Sequence, residues 1–310
     1  MLHESQRRAR SSFSRRDFLR GAACMAAASY AGVTIANPQS TGKQVVVGAH
    51  PWVYAATQPN YDITPVLEQI FADMSYAGLA GIELMHTALR PDDAVARIAS
   101  LAEKHRLPVI GSSFGGNLWN REGCDAALAD ARLVVPRLAK LGGRTLGVSV
   151  GAAGHVKTAE EFDIQADGLR QMIALCNDHG VVLNLHNHTY EVENNLHDLR
   201  GTLERIPDAK LGPDLNWLVR GGVDPADFIR RYGRSIVFLH LRDQKADGAW
   251  SEALGEGDMD YAAIAQALQE INFSGDAVIE LAHERNFKPT RPLRESLKIS
   301  RQFVRQTLGY

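Results

Sequence analysis

The chain has little covalent or membrane reinforcement to offer. Three cysteines in 310 residues are too few for the disulfide framework of a small secreted scaffold. Cys176 sits on the apolar stripe of LRQMIALC, where a buried thiol is the simpler reading, and Cys124 lies in another helical-looking segment. Long hydrophobic runs are also missing: Gly21–Ala36 is the one sustained small-residue apolar stretch, and it is too short to span a bilayer, so no stable membrane anchor is expected. No low-complexity linker or shift of composition divides the chain beyond it. A single domain is therefore the economical expectation.

What is present begins with an address. Ser14–Arg20 (SRRDFLR), followed by the apolar run to Ala36, resembles the twin-arginine export signal. Residues 1–36 are expected to be that signal, 37–43 a short linker and 44–310 the folded domain; the cleavage position stays open. The expected location is periplasmic or otherwise exported. Removing residues 1–36 takes away six arginines and two acids and leaves 28 basic against 34 acidic residues, a net charge of −6. An acidic body is a poor electrostatic partner for nucleic acid.

From Gln44 onward, short β-branched or apolar runs alternate with longer amphipathic ones, the pattern of repeated βα units. The predicted strands are Val45–Gly48, Gly81–Leu84, Pro108–Gly111, Thr145–Val150, Val181–His186, Leu211–Asp214, Ile236–Leu241 and Ala277–Leu281. Helix starts are marked by Thr64-Pro65, Arg90-Pro91, Asp224-Pro225 and Asp260, and by Thr158 with Glu161 three residues on. Eight strands, each followed by a helix in a domain of this length, predict an α/β fold: one closed (β/α)₈ TIM barrel.

In such a barrel the site is built at the C-terminal ends of the strands. Along Val181–Glu193 (VVLNLHNHTYEVE), Leu183 and Leu185 point one way and Asn184, His186 and His188 the other, because strand side chains alternate. Reading every strand end in this way gives His50 and Trp52, Glu83 and His86, then Ser112, Ser113, Phe114 and Asn117. The later strands give His186, His188 and Glu191, then Asp214, Asn216 and Trp217, then His240 and Arg242, and finally Glu280 and His283. Six of the eleven histidines thus fall at one rim beside four carboxylates. Crowded carboxylates repel one another unless a cation or an arginine neutralises them.

At these positions the chain resembles the xylose isomerase-like TIM barrels, the superfamily of sugar phosphate isomerases and epimerases that also includes endonuclease IV. The resemblance is carried by GIEL at Glu83, LHNHTYEVE, GPDLNWLVRGGVDP, FLHLRD followed by GEGDMDY, and VIELAHE. It implies one divalent metal held by Glu, Asp, His and Glu from the fifth to eighth strands; the last three correspond to Asp214, His240 and Glu280. The fifth strand departs, offering His186-Asn187-His188, so either His186 takes the place or Glu191 folds back to fill it. Glu191 is favoured, since two or three carboxylates suit Mn²⁺ first, with Mg²⁺, Co²⁺ or Zn²⁺ as alternatives. Arg242 stands where a lysine is frequent and can clamp an oxyanion but not act as a base.

The expected chemistry is proton transfer next to a carbonyl through an enediolate, by a sugar isomerase or epimerase. His186, His188 and Glu280 are the acid/base candidates, with Arg242 stabilising charge. His50, Trp52, Glu83, His86, Trp217 and His283 are expected to bind substrate, the tryptophans by stacking on a sugar ring. An exported location argues for a non-phosphorylated carbohydrate. The first alternative is a metal-dependent lyase on a keto-sugar or 3-keto-glycoside, which shares the enediolate. Behind it stand an endonuclease IV-like nuclease and a non-catalytic periplasmic carbohydrate-binding protein. Barrels of this kind often associate into homo-oligomers, though no interface signature stands out.

Overall fold

A computed structural model describes residues 45–284 and 286–310. The expected signal and linker lie outside the described residues. Eight strands form one sheet: β1 Val47–Ala49, β2 Ile82–Met85, β3 Val109–Gly115, β4 Thr145–Ser149, β5 Val182–Leu185, β6 Lys210–Leu211, β7 Phe238–Leu241 and β8 Asp276–Ile279. Their order is β6-β5-β4-β3-β2-β1-β8-β7, with every ladder parallel. Two isolated parallel bridges, Leu211↔Ile236 and Asp214↔His240, bring β6 against β7 and close the circle. The fold is the expected xylose isomerase-like (β/α)₈ barrel.

Helices follow the strands: α1 Leu67–Tyr76, α2 Ala94–His105, α3 Arg121–Lys140, α4 Ala159–Asp178, α5 Thr189–Arg205, α6 Leu215–Arg220, α7 Pro225–Tyr232, α8 Tyr261–Glu270 and α9 Leu293–Thr307. Their starts follow local chemistry. Thr158 Oγ1 accepts from the Glu161 backbone N–H while Glu161 Oε2 accepts from the Thr158 N–H, so two otherwise unpaired donors at the start of α4 are satisfied. Asp224 and Asp260 cap α7 and α8 in the same way. At Arg90-Pro91 the expectation is less close, because a 3₁₀ turn His86–Leu89 precedes and α2 begins at Ala94.

Several strand boundaries shift by one or two residues, and two ends move further. β3 runs on to Gly115 because Gly111–Gly115 pairs continuously with Thr145–Ser149, so Ser112, Ser113 and Phe114 belong to the strand and not to the loop after it. β6 stops at Leu211, since Gly212 and Pro213 follow and proline has no N–H to donate.

The helices cover the sheet with an apolar layer that includes Leu67, Ile70, Phe71 and Met74 of α1, all buried. Each such side chain contributes about 1.5–3 kcal/mol of transfer free energy. Inside the barrel, Ile110, Phe238 and Val278 form a separate apolar cluster. Ile110 fits there because Gly81 has no side chain: a Cβ at that position would lie 2.4 Å from Ile110 Cγ2. Two residues further along their strands, in the same inward direction, stand His240 above Phe238 and Glu280 above Val278. The apolar plug thus leaves the other end of the lumen to polar chemistry.

Candidate active site

Above the plug, β2, β7 and the residues just past β5, β6 and β8 converge their side chains. His240 Nε2 lies 2.5 Å from Glu83 Oε2, and its Nδ1 lies 3.0 Å from His186 Nδ1 and 3.3 Å from Glu280 Oε2. Arg242 ties two carboxylates together: Nε donates to Asp214 Oδ2 at 2.7 Å and Nη2 to Glu280 Oε1 at 2.6 Å. Asp214 Oδ1 also accepts from the backbone N–H groups of Asn216 and Trp217, which caps α6 and fixes the carboxylate. His50 stands beside Glu280, Nδ1 to Oε1 at 3.3 Å, and its Nε2 lies 2.8 Å from Ser113 Oγ. Of these, His50, Ser113, His186, His240, Arg242 and Glu280 line a cavity of about 790 Å³, with Glu83 and Asp214 buried behind them.

Burial and charge pull these groups in opposite directions. Burial pushes the Asp214 carboxyl up, against the Arg242 guanidinium. Burial acts the same way on Glu280, but Arg242, His50 and His240 outweigh it and hold that carboxyl well below the usual range. For His240 burial disfavours the charged ring, yet the Glu83 and Glu280 carboxylates together raise it to about 9. His186 moves the other way, well below its ordinary value, through burial and the neighbouring His240 and His188 rings. Arg242 and, in its protonated form, His240 therefore set positive charge against the buried carboxylates.

The donor set also suits a divalent cation. One ligand atom from each of His186, Asp214 and His240 lies within 4.8 Å of the others, the single such group among the described residues. Ligands about 2.1 Å from one ion stand about 3.0 Å apart along an octahedral edge, close to the spacing of His240 Nδ1 from His186 and Glu280. Two imidazole nitrogens facing each other at that distance need a proton or a metal ion between their lone pairs.

Glu191, the favoured fourth ligand, is engaged elsewhere. Its Oε1 accepts from Ser149 Oγ at 2.6 Å and from the Val150 N–H at 3.0 Å, and its Oε2 from the His188 N–H at 2.5 Å. It closes the capping box of α5 and braces β4 against it. His186 stands beside Asp214 and His240 instead, because the lumen-facing direction of β5 carries it there. His188 stands one step outward, its side chain 35% exposed, with Nδ1 near Tyr190 Oη and Ser149 Oγ.

The expected substrate-binding residues separate into two groups. His50, Trp52, His86 and Trp217 line the cavity with His188, Arg242 and Glu280. Phe114, at the same wall, packs on the His86 ring at 4.5 Å. Burial lowers His86 to about 4. Glu83 and His283 do not line it: Glu83 is fully buried beneath His240, and His283 packs on Phe287. Trp250, Tyr190 and Ser149 were not anticipated. Trp250 meets Trp217 at a right angle, 5.9 Å between ring centroids, and donates from Nε1 to Asn216 Oδ1. Nothing near a strand end betrays it, since it hangs from the long loop after β7. Ser149 is the last residue of β4, the one strand whose end carried no charged or ring side chain to notice.

A parallel barrel with convergent acids, imidazoles and an arginine at the C-terminal strand ends has the architecture of a barrel enzyme. Residues 71–303 match the xylose isomerase-like TIM barrel family, and the chain belongs to it. The curated inosose dehydratase of Clostridium perfringens is 23% identical over 171 residues, 49% of this chain and 57% of that protein. The inosose dehydratase of Geobacillus kaustophilus is 24% identical over 144 residues, 40% and 46% of the two chains. The chain thus spans about half the length of the curated relatives it matches. The fold is shared with solved structures of D-allulose 3-epimerase from Methylomonas sp., at 18% identity and a TM-score of 0.69 over 86% of this chain and 99% of that one. It is shared also with 3-keto-D-glucoside 4-epimerase from E. coli, at 17% and 0.66 over 84% and 100%.

Proposed function

We propose that this protein is a divalent-metal-dependent isomerase or epimerase of a non-phosphorylated sugar or sugar derivative, working by proton transfer next to a carbonyl. The observation that carries the reading is Arg242. Two arms of its guanidinium hold Asp214 and Glu280, while Nη1 is buried without a protein partner on a side chain that lines the cavity. A fixed, unspent donor beside a cluster of metal-ligating groups is what a developing oxyanion requires.

His186, Asp214, His240 and Glu280 would hold the cation, which when bound supplies Lewis-acid polarisation of the carbonyl. Two imidazoles among four ligands shift the preference from Mg²⁺ toward Mn²⁺, Co²⁺ or Zn²⁺. His188 is the proton carrier: Tyr190 and Ser149 occupy its Nδ1, which leaves Nε2 for substrate. It takes the C–H proton, the electron pair moves onto the carbonyl oxygen, and Arg242 Nη1 stabilises the enediolate. An isomerase returns that proton to the neighbouring carbon, whereas an epimerase needs a second acid on the opposite face of the enediolate, for which His50 on the cavity wall is the candidate. Trp52, Trp217 and Trp250 give the sugar apolar faces to pack on.

Among the described residues that line the cavity there is no lysine, and Arg242 is already paired twice, which disfavours a phosphate ester. The twin-arginine-like stretch supports the same reading, since we take it to direct export, away from cytoplasmic sugar phosphates. Among the described residues no helix is long and apolar enough to cross a membrane.

A second reading, a lyase on a keto-sugar or keto-glycoside, is favoured by the similarity to two proteins named as dehydratases. It uses the same first step; the enediolate then collapses and expels a β-substituent as water or an aglycone.

The test is incubation of a panel of non-phosphorylated ketoses and keto-glycosides in D₂O. Deuterium entering next to the carbonyl supports the shared step, and absence of exchange across the panel overturns both readings. Product mass then divides them: an epimerase leaves the skeleton whole, and a lyase loses water or the aglycone.

A further inference from the structure

Glu83 is a charged side chain with no access to the cavity. It sits in β2, wholly buried, and reaches across the lumen to a residue 157 positions later in the chain. Its Oε2 meets His240 Nε2, the ring nitrogen that points away from the ligand cluster. The other nitrogen, Nδ1, faces His186 and Glu280. The ring has little room to turn, since Phe238 packs on it edge-on at 5.2 Å and His186 at 4.7 Å.

An ionised carboxylate can only accept a hydrogen bond, so the nitrogen facing it must carry the proton. In a neutral imidazole the second nitrogen then holds the lone pair. We propose that Glu83 is a positioning residue: it fixes the proton of His240 on Nε2 and so presents the Nδ1 lone pair to a cation shared with His186, Asp214 and Glu280. This rests on the metal reading given under the proposed function. It replaces the expectation that Glu83 binds substrate, for which the side chain lies one layer too deep. It also gives a reason for a charged residue in the lumen: the negative charge makes Nδ1 a stronger donor, and outer partners of this kind are worth about 10–100-fold in metal affinity.

The test uses the full chain and two readouts that a merely structural role would not move. In the first, Zn²⁺ and Co²⁺ affinities of wild type, Glu83→Gln and Glu83→Ala are measured by competition with a chelator, on folded protein checked by circular dichroism. The expected result is a loss of about 10–100-fold in both variants. Affinities within twofold of wild type would overturn the proposal. In the second, ¹⁵N shifts of His240 are followed in chelator-treated wild-type protein through a pH titration and read on the neutral ring. A proton on Nε2 supports the assignment. A proton on Nδ1, with Glu83 donating as a neutral acid, overturns it. Should the variants not fold, the shifts decide alone. Should wild type bind neither ion, the metal reading fails, and the shifts still decide whether Glu83 sets the tautomer.

Discussion

Beneath the cavity Asp214, Arg242 and Glu280 are buried, and each charge is held by another; at the β5 rim His188 is a third exposed, its Nδ1 meeting the Ser149 and Tyr190 hydroxyls with the Glu191 carboxylate 3.5 Å away. The floor is an electrostatic unit in which no member can be removed without stranding a partner in low dielectric. The rim is a scaffold of hydroxyl bonds and a helix cap built on one carboxylate, Glu191, with no buried cation among the described residues locked to it. Changes at the floor should therefore cost stability and activity together, whereas changes at the rim should separate them.

The strongest way to break the comparison is Arg242→Met. It leaves two buried carboxylates without their guanidinium, and we expect a loss of about 3–5 kcal/mol in urea unfolding together with all deuterium exchange. Wild-type stability in that variant would show that the floor is not held by charge. His188→Gln should do the reverse, lowering kcat by about 10²–10⁴-fold while moving the unfolding free energy by less than about 1 kcal/mol. A comparable loss of stability there would erase the distinction between the regions. Glu191→Gln sharpens it: the α5 cap weakens by about 1–2 kcal/mol in thermal melts, but cation content by elemental mass spectrometry stays that of wild type. A lost cation would return Glu191 to the ligand set.

The pH dependence of the floor probes the same charge pairing without a substitution. His240 is raised from 6.5 to about 9 in the fold, so the folded state holds a proton that the unfolded chain releases earlier. The resulting stabilisation is fully present below about pH 6.5 and is lost as pH rises through about 9. Urea titrations across that window should show stability falling; a rise would contradict the charge pairing with Glu83 and Glu280.

How far the sequence reaches depends on the physical origin of each signal. Strand alternation and the barrel rule are enough to bring His186, Asp214, His240, Arg242 and Glu280 to one place, because backbone geometry dictates those directions. Glu191 was misplaced because a carboxylate three residues after a helix start serves as a cap as readily as a ligand, and spacing alone does not separate the two. Glu83 was placed at the rim because residue counting gives the strand but not the depth within the lumen. His283 and Trp250 depend on loop paths after β8 and β7. Those paths are set by contacts such as Asp243 accepting from the Gly255 and Gly257 N–H groups, which no local pattern announces.

The barrel closes at β6 and β7 through two bridges, one of which joins Asp214 to His240. A thin seam of the cylinder therefore passes through its chemistry, and the pair of residues that would grip an ion is also a clasp of the wall. Occupancy becomes a mechanical variable: an ion there staples the last two staves and stiffens the hoop. Amide exchange at Val237 and His240, which donate to Leu211 and Pro213 across the gap, should slow on addition of Zn²⁺, while the β3–β4 amides, already zipped along five residue pairs, should not respond.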